Sequence, residues 1–466
     1  MKHSILALLI ALALIAASCG DDSNGTSGEA EVESAPLEDD STDEDSPSKD
    51  SPSEDSPSPV DDGPEDVVLT DTFRGVTADT ITLGYTSINF ELLNESFGLD
   101  LAFQNFGPQA DAIVAYYNEN GGVLGRQIEL IHEKYLPVGP TSADEVCLKL
   151  TEDATIFAVL AGFSGPGALD VNSCFTELHD TILVGPAPRS DQAEAAGGLW
   201  VSADMSLNRR NSAVARLMAD AGVLDGLGEM MVIGSSIDEQ PLVDGMAEAL
   251  SGVGVGVPIT EVITTTGDRP ATANDVAVWL ERARSSGVST AVLLGEDEFR
   301  NQEFFIQAPE FTFIMGNGDS ITDWSSIPPE GLEEGTRLLT NNNGPDVAAF
   351  DDPQILTCVA AVEEAQGIEV RATSQLPNGE PNYFSGTVGA CRSISLFVQI
   401  ATAAGPNLTN ETWLAALDNV PDLSLPGYKF ATIRADKVDA RDQLVLVEYD
   451  RANLAFVPIS DAIDVG

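Results

Sequence analysis

The chain has 466 residues, with 75 Asp and Glu against 22 Lys and Arg and a formal net charge of −53 at pH 7. A surface this negative repels a phosphate backbone, which excludes nucleic acid as a partner. The length allows roughly two to four domains, and the acidity speaks to solubility rather than to fold.

The first element is a targeting segment. Lys2 and His3 precede an unbroken apolar run, 5–15, of about a dozen residues, too short to span a bilayer comfortably. Ala16-Ala17-Ser18-Cys19 resembles a bacterial lipobox, which implies that 1–19 is a lipoprotein leader and that Cys19 carries the lipid. Ala16 stands where that motif usually has leucine, and small residues at Ala16 and Ser18 also suit ordinary signal peptidase. Residues 20–68 then turn to Asp, Glu, Ser and Pro, with Lys49 as the one base. Such a stretch cannot offset chain entropy by apolar burial, so it reads as a disordered acidic linker extended by its own charge. Behind a lipidated cysteine it is a tether that lifts a globular body off an extracytoplasmic membrane face.

Of five cysteines, Cys19 is one, leaving Cys147, Cys174, Cys358 and Cys391. In an exported chain these suggest two disulfides, and nearest-neighbour pairing is the simplest of three connectivities. Their spacing does not suit a zinc knuckle; no metal or cofactor is expected.

From Thr77 the pattern alternates. Strands are expected at 81–85, 127–133, 157–161 and 181–184, with helices at 110–118, 142–150 and 167–178. The pattern restarts with an extended piece at 199–201. Helices follow at 211–221, 243–250, 273–284 and 299–307, and strands at 230–233, 259–264, 290–294 and 311–315. A third section has an extended Leu338-Leu339, helices at 355–365 and 387–403, and strands at 429–433, 444–449 and 454–458. Strands alternating with helices predict α/β units with doubly wound parallel sheets.

Three local stretches carry a resemblance to a known family. Asp111-Ala-Ile-Val-Ala-Tyr-Tyr-Asn-Glu-Asn-Gly-Gly-Val-Leu-Gly-Arg-Gln-Ile-Glu-Leu-Ile131 is similar to the first helix, Gly-Gly turn and second strand of type I periplasmic binding proteins of the branched-chain amino acid receptor branch. Residues 143–162 and Thr181-Ile-Leu-Val-Gly-Pro-Ala187 match it too, and the resemblance covers about 78–460. It implies two doubly wound lobes joined by a three-stranded hinge, lobe 1 from 78–200 and 335–430, lobe 2 from 201–334 and 431–466. A bridge like Cys147–Cys174 occurs in receptors of this type. The family also implies an ABC permease as partner and a monomer that captures a small-molecule ligand by closing.

The stretch Val159-Leu-Ala-Gly-Phe-Ser-Gly-Pro-Gly-Ala-Leu-Asp-Val171 is the candidate site. A phosphate loop needs a lysine after its glycines, and Ala168 and Leu169 stand there. A nucleophile elbow needs glycine where Pro166 stands and a histidine base; His132 lies inside a strand pattern and His179 at a helix end. An anion cradle needs only free N–H groups at a helix mouth, a hydroxyl from Ser164 and close backbone approach at Gly165. The resemblance likewise puts a ligand carboxylate at this turn and at the next strand's loop, Gly185-Pro-Ala-Pro-Arg-Ser190, with Ala187 and Arg189 as contacts. Arg189 either grips an acidic ligand or faces solvent. In the second unit Asp238, Glu296 and Asp297 follow strands, and the resemblance implies a carboxylate there for a ligand ammonium. Phe90 is either a wall of the site or core packing. The reading is a non-enzymatic receptor for an amino acid or related carboxylate; a sensor of the same fold and an exported hydrolase are the alternatives.

Overall fold

The computed structural model describes residues 68–97, 105–165, 167–236, 239–264, 269–295, 297–318, 321, 324, 328–342, 346–377, 380–420 and 423–466. The leader, Cys19, nearly all of the acidic linker, Pro166, Asp238 and Glu296 lie outside the described residues.

The first sheet is parallel throughout. Its strands are β1 (Thr80–Ile88), β2 (Gln127–Tyr135), β3 (Ala158–Leu160), β4 (Ile182–Val184) and β5 (Trp200–Val201), in the order β2-β1-β3-β4-β5. Alternate residues serve opposite faces, as a pleated strand requires. Ile81, Leu83, Ala158, Leu160, Ile182 and Val184 join one core, while Val159 and Leu183 join the other. Both faces are therefore covered, which is why these strands read as apolar runs. The first core packs under α2 (Gly107–Glu119), α9 (Pro353–Gln366), α10 (Phe384–Ala404) and α11 (Asn410–Leu417). The second packs under α3 (Thr141–Leu148), with Phe163, Phe175 and Trp200. A short α1 (Phe90–Phe97) follows β1, and α4 (Ser190–Ala196) follows β4.

The second sheet holds β6 (Met230–Gly234), β7 (Ile259–Val262), β8 (Thr290–Leu293), β9 (Thr312–Met315), β10 (Leu338–Asn342), β11 (Gln443–Asp450) and β12 (Ala455–Pro458). Their order is β12-β11-β10-β9-β8-β6-β7, with β13 (Ile463–Asp464) added against β11. β6 to β10 are parallel and β11 turns antiparallel. The helices α5 (Leu207–Asp220), α6 (Gln240–Gly252), α7 (Arg269–Ser285) and α8 (Glu298–Gln307) cover it.

Three sequence expectations change. Leu338-Leu339 was expected in the first lobe, but Leu338 pairs with Phe313 and Leu339 with Ile314, so β10 belongs to the second sheet and the unit boundary lies beyond 335. The expected strand at 429–433 is instead irregular chain, with one bridge from Ala431 to Arg441. The expected helix at 167–178 begins two residues later and is irregular: a 3₁₀ turn at Leu169–Val171, Asn172 and Ser173 in α geometry, then a π turn at Cys174–Leu178. Asn172 is fully buried, and its side-chain amide bonds Phe163 N and O (both 2.8 Å) and Leu169 O (2.9 Å), which ties this helical run to the exit of β3.

The cysteines pair as nearest neighbours, Cys147–Cys174 and Cys358–Cys391. The second joins α9 to α10 across 33 residues. Closing a loop of that length constrains the unfolded chain by about 3–4 kcal/mol. The double change Cys358→Ser and Cys391→Ser is expected to lower the unfolding free energy by about that amount; denaturant melts under oxidising conditions measure it, and a loss below about 1 kcal/mol would contradict the entropic account.

Candidate functional site

β5 leaves the first sheet at its carboxyl end and the chain enters the second unit at the start of α5. Because α5 leads into a parallel strand, its first turn lies at the carboxyl edge of the second sheet. Arg210 in that turn donates to Asn317 Oδ1 at the exit of β9, which fixes the placement. β10 leaves the second sheet at its own carboxyl end. The carboxyl edges of both sheets thus adjoin the crossings, where α/β folds place their ligands.

The crossings are bound to one another. Ser202 N donates to Val438 O (2.9 Å) and Ala440 N to Ser202 O (2.8 Å). Arg209 Nε contacts both oxygens of Asp439 (3.1 and 3.0 Å), and Arg209 Nη1 reaches Asp442 Oδ1 (2.8 Å). Lys437 Nζ lies 3.0 Å from Asp442, and Thr432 Oγ1 donates to Asp442 Oδ2 (2.6 Å). Burial first, then the Arg209 charge, pushes the Lys437 pKa down, while Asp442 works against them.

On the first edge, Ala161, Gly162, Gly165 and Gly167 all have positive φ, so the exit of β3 is a tight glycine turn. Gly165 is required: a Cβ there would lie 2.3 Å from Pro137 O. Ser164 is exposed at the tip. Its N–H donates to the Tyr135 hydroxyl (2.7 Å), and its Oγ lies 3.0 Å from the same atom. Phe163 N–H donates to Asn172 Oδ1 (2.8 Å). Two N–H groups of this turn, those of Phe163 and Ser164, are thus taken inside the protein, and the helical run that follows opens as the 3₁₀ turn Leu169–Val171. Arg189 Nη1 contacts Asp170 (2.8 Å) and its Nε lies 3.4 Å from Asp191, so the guanidinium closes the β4 exit onto the turn after β3. Ala187 is half-buried in that exit. Phe90 meets Phe106 edge-on at 5.5 Å, between the starts of α1 and α2.

On the second edge, Asp297 caps α8 by accepting from Arg300 N (3.0 Å). Glu239 Oε2 accepts from Ser235 N (2.6 Å), Ser235 Oγ (2.9 Å) and Ser236 N (3.3 Å) and closes against Gly295. Arg300 is fully buried behind it, donating to Leu294 O (2.6 Å) and Asn301 Oδ1 (2.7 Å); burial lowers its pKa to about 10. Sequence reasoning missed Tyr135, Arg210 and Asn317, and from the acidic exit 233–239 it took Asp238 rather than Glu239.

No family model matches the sequence, and no curated protein does. Solved structures do match. One is an ABC transporter substrate-binding protein from Desulfitobacterium hafniense in complex with Leu: TM-score 0.56, 16% identity, covering 82% of this chain and 100% of that one. The chain has the type I periplasmic binding protein fold. A second such structure is the solute-binding protein from Rhodopseudomonas palustris HaA2 with p-hydroxybenzoic acid, at TM-score 0.57 and 14% identity over 83% of this chain and 98% of that one. A third is a fatty acid ABC transporter substrate-binding protein from Thermomonospora curvata, at 0.55 and 16% over 85% and 95%.

Within this periplasmic-binding-protein fold, neither histidine expected to be structural reaches Ser164: His132 pairs with Asp111 (2.7 Å), and His179 lies beside the Cys147–Cys174 bridge. That bridge ties up the two thiols that, with His179, would otherwise offer three metal ligands.

Proposed function

We propose that the chain is an extracytoplasmic solute receptor that takes a small carboxylate between the carboxyl edges of its two sheets, closes about the crossings, and delivers it to an ABC permease. The single supporting observation is the fold, shared across more than four-fifths of the chain with substrate-binding proteins. Those three proteins are described with Leu, p-hydroxybenzoic acid and fatty acids, which have a carboxylate in common. The first edge offers that group the Ser164 hydroxyl, with Ala187 and Arg189 on the neighbouring exit. On the second edge Asp297 is a proposed partner of a ligand ammonium, as are Asp238 and Glu296, which lie outside the described residues, and Phe90 is a proposed wall. Closure is a population shift driven by contacts made only when both edges touch the ligand.

Cys19 and the acidic linker complete the reading as a lipid anchor and tether that hold a monomeric receptor near its permease. Ser164 hydrogen-bonds a phenol rather than an imidazole, which supports binding over hydrolysis.

Thermal-shift screening against amino acids, aromatic acids and fatty acids tests the proposal. A ligand at 100 times its Kd is expected to add about 2.7 kcal/mol of stability. Stabilisation by sugars alone, or by none of these acids, would refute it. Ser164→Ala is expected to weaken carboxylate binding about tenfold, the loss of one hydrogen bond to a charged group.

A further inference from the structure

We infer that Tyr135 is a positioning residue of this site, setting the direction in which Ser164 presents its hydroxyl proton. The inference rests on the receptor reading above and deepens it.

Tyr135 is the last residue of β2 and is 2% exposed, with its ring edge-on to Phe163 at 4.9 Å. Its hydroxyl oxygen already accepts the Ser164 N–H at 2.7 Å. A phenol has one proton to give, and two acceptors are within reach: Ser164 Oγ at 3.0 Å and Ser164 O at 3.4 Å. The shorter and better contact is to Oγ. Burial moves the phenol's pKa upward, so the proton stays on the ring oxygen at any physiological pH.

The consequence is a directed chain: Ser164 N–H to the Tyr135 oxygen, the Tyr135 proton to Ser164 Oγ, and the Ser164 proton outward from the exposed tip of the turn. A hydroxyl that accepts a hydrogen bond becomes a better donor. The turn therefore selects an acceptor, a carboxylate or carbonyl oxygen, at this point and disfavours an ammonium. With the opposite proton order, Ser164 Oγ–H would point back at the phenol, and removing the phenol would free it.

The two orders predict opposite signs. Calorimetric titration of the full chain with L-leucine, p-hydroxybenzoate and a medium-chain fatty acid would compare wild type, Tyr135→Phe, Ser164→Ala and the double variant. The inference expects Tyr135→Phe to weaken the acid that binds by about fivefold and to have no further effect in the Ser164→Ala background. A purely structural role would weaken binding equally in both backgrounds and would overturn it. Tighter or unchanged binding in Tyr135→Phe would overturn it as well, leaving the receptor reading intact. Wild-type protein that binds none of the three acids would remove the receptor reading and this inference together.

Discussion

Replacing Asp442 with alanine is expected to lower the unfolding free energy by about 3–5 kcal/mol, the usual cost of removing one partner from a buried ion cluster. Asp442 is 1% exposed and faces two cations, Arg209 and Lys437, as well as the Thr432 hydroxyl. Arg209 keeps Asp439 when Asp442 is gone. Lys437, itself 8% exposed, keeps only the carbonyls of Thr432 and Asp439. An ammonium with no carboxylate in direct contact is the larger part of the expected loss. The pH dependence has a definite sign. Asp442 raises the Lys437 pKa against burial and Arg209, so its removal drops that pKa further below the ordinary 10.5. Between the lowered folded pKa and 10.5, the unfolded chain binds more protons than the folded one, so stability rises with pH in that window. The deficit of Asp442→Ala should therefore shrink in alkaline buffer. Denaturant melts of both proteins at neutral and alkaline pH measure this. A loss under about 1 kcal/mol at neutral pH, the scale of an exposed pair, would show the cluster to be solvated rather than buried.

The same cluster marks the limit of what the amino-acid order reveals. Local apolar period exposed the two sheets well: 230–233 and 290–294 were expected as strands, and β6 and β8 fall on them, because a strand covered on both faces has to be an unbroken apolar run. The span at 110–118 likewise lies within α2, ended by the Asn-Gly-Gly turn. Contacts between distant segments left no such trace. Arg209 and Asp439 lie 230 residues apart, and nothing in either neighbourhood names the other. Tyr135 ends β2 and Ser164 follows β3, 29 residues on, with β1 between the two strands, so their meeting depends on strand order rather than on spacing. Leu338-Leu339 was ambiguous for the same reason: a short apolar pair fits either sheet, and only its hydrogen bonds to β9 decide. At the candidate turn the glycines and Ser164 were legible because positive φ has a residue signature. That the Phe163 and Ser164 N–H groups were already engaged was not, because the acceptors are side chains, Asn172 and Tyr135, that the turn's own residues do not specify.

Gly165→Ala is expected to cost about 2–4 kcal/mol, from left-handed strain of about 1–2 kcal/mol and an overlap of similar size. Gly165 has φ +98, and the new Cβ would lie 2.3 Å from Pro137 O and 2.8 Å from Pro137 Cβ. The carbonyl is backbone and cannot rotate away. Gly121 separates the two contributions. Its φ is +101, almost the same, and nothing lies within 4 Å of a Cβ placed there. Gly121→Ala should thus report the conformational cost alone, about 1–2 kcal/mol, and the difference between the variants reports the pressure of the turn on the exit of β2. That pressure acts on the chain segment that carries Tyr135, so relief by moving the turn would lengthen the Tyr135–Ser164 hydrogen bonds. Gly165→Ala is therefore expected to weaken carboxylate binding as well as stability, whereas Gly121→Ala leaves binding unchanged. Equal stability losses in the two variants would mean that the turn does not lean on Pro137, and that β2 does not brace the site.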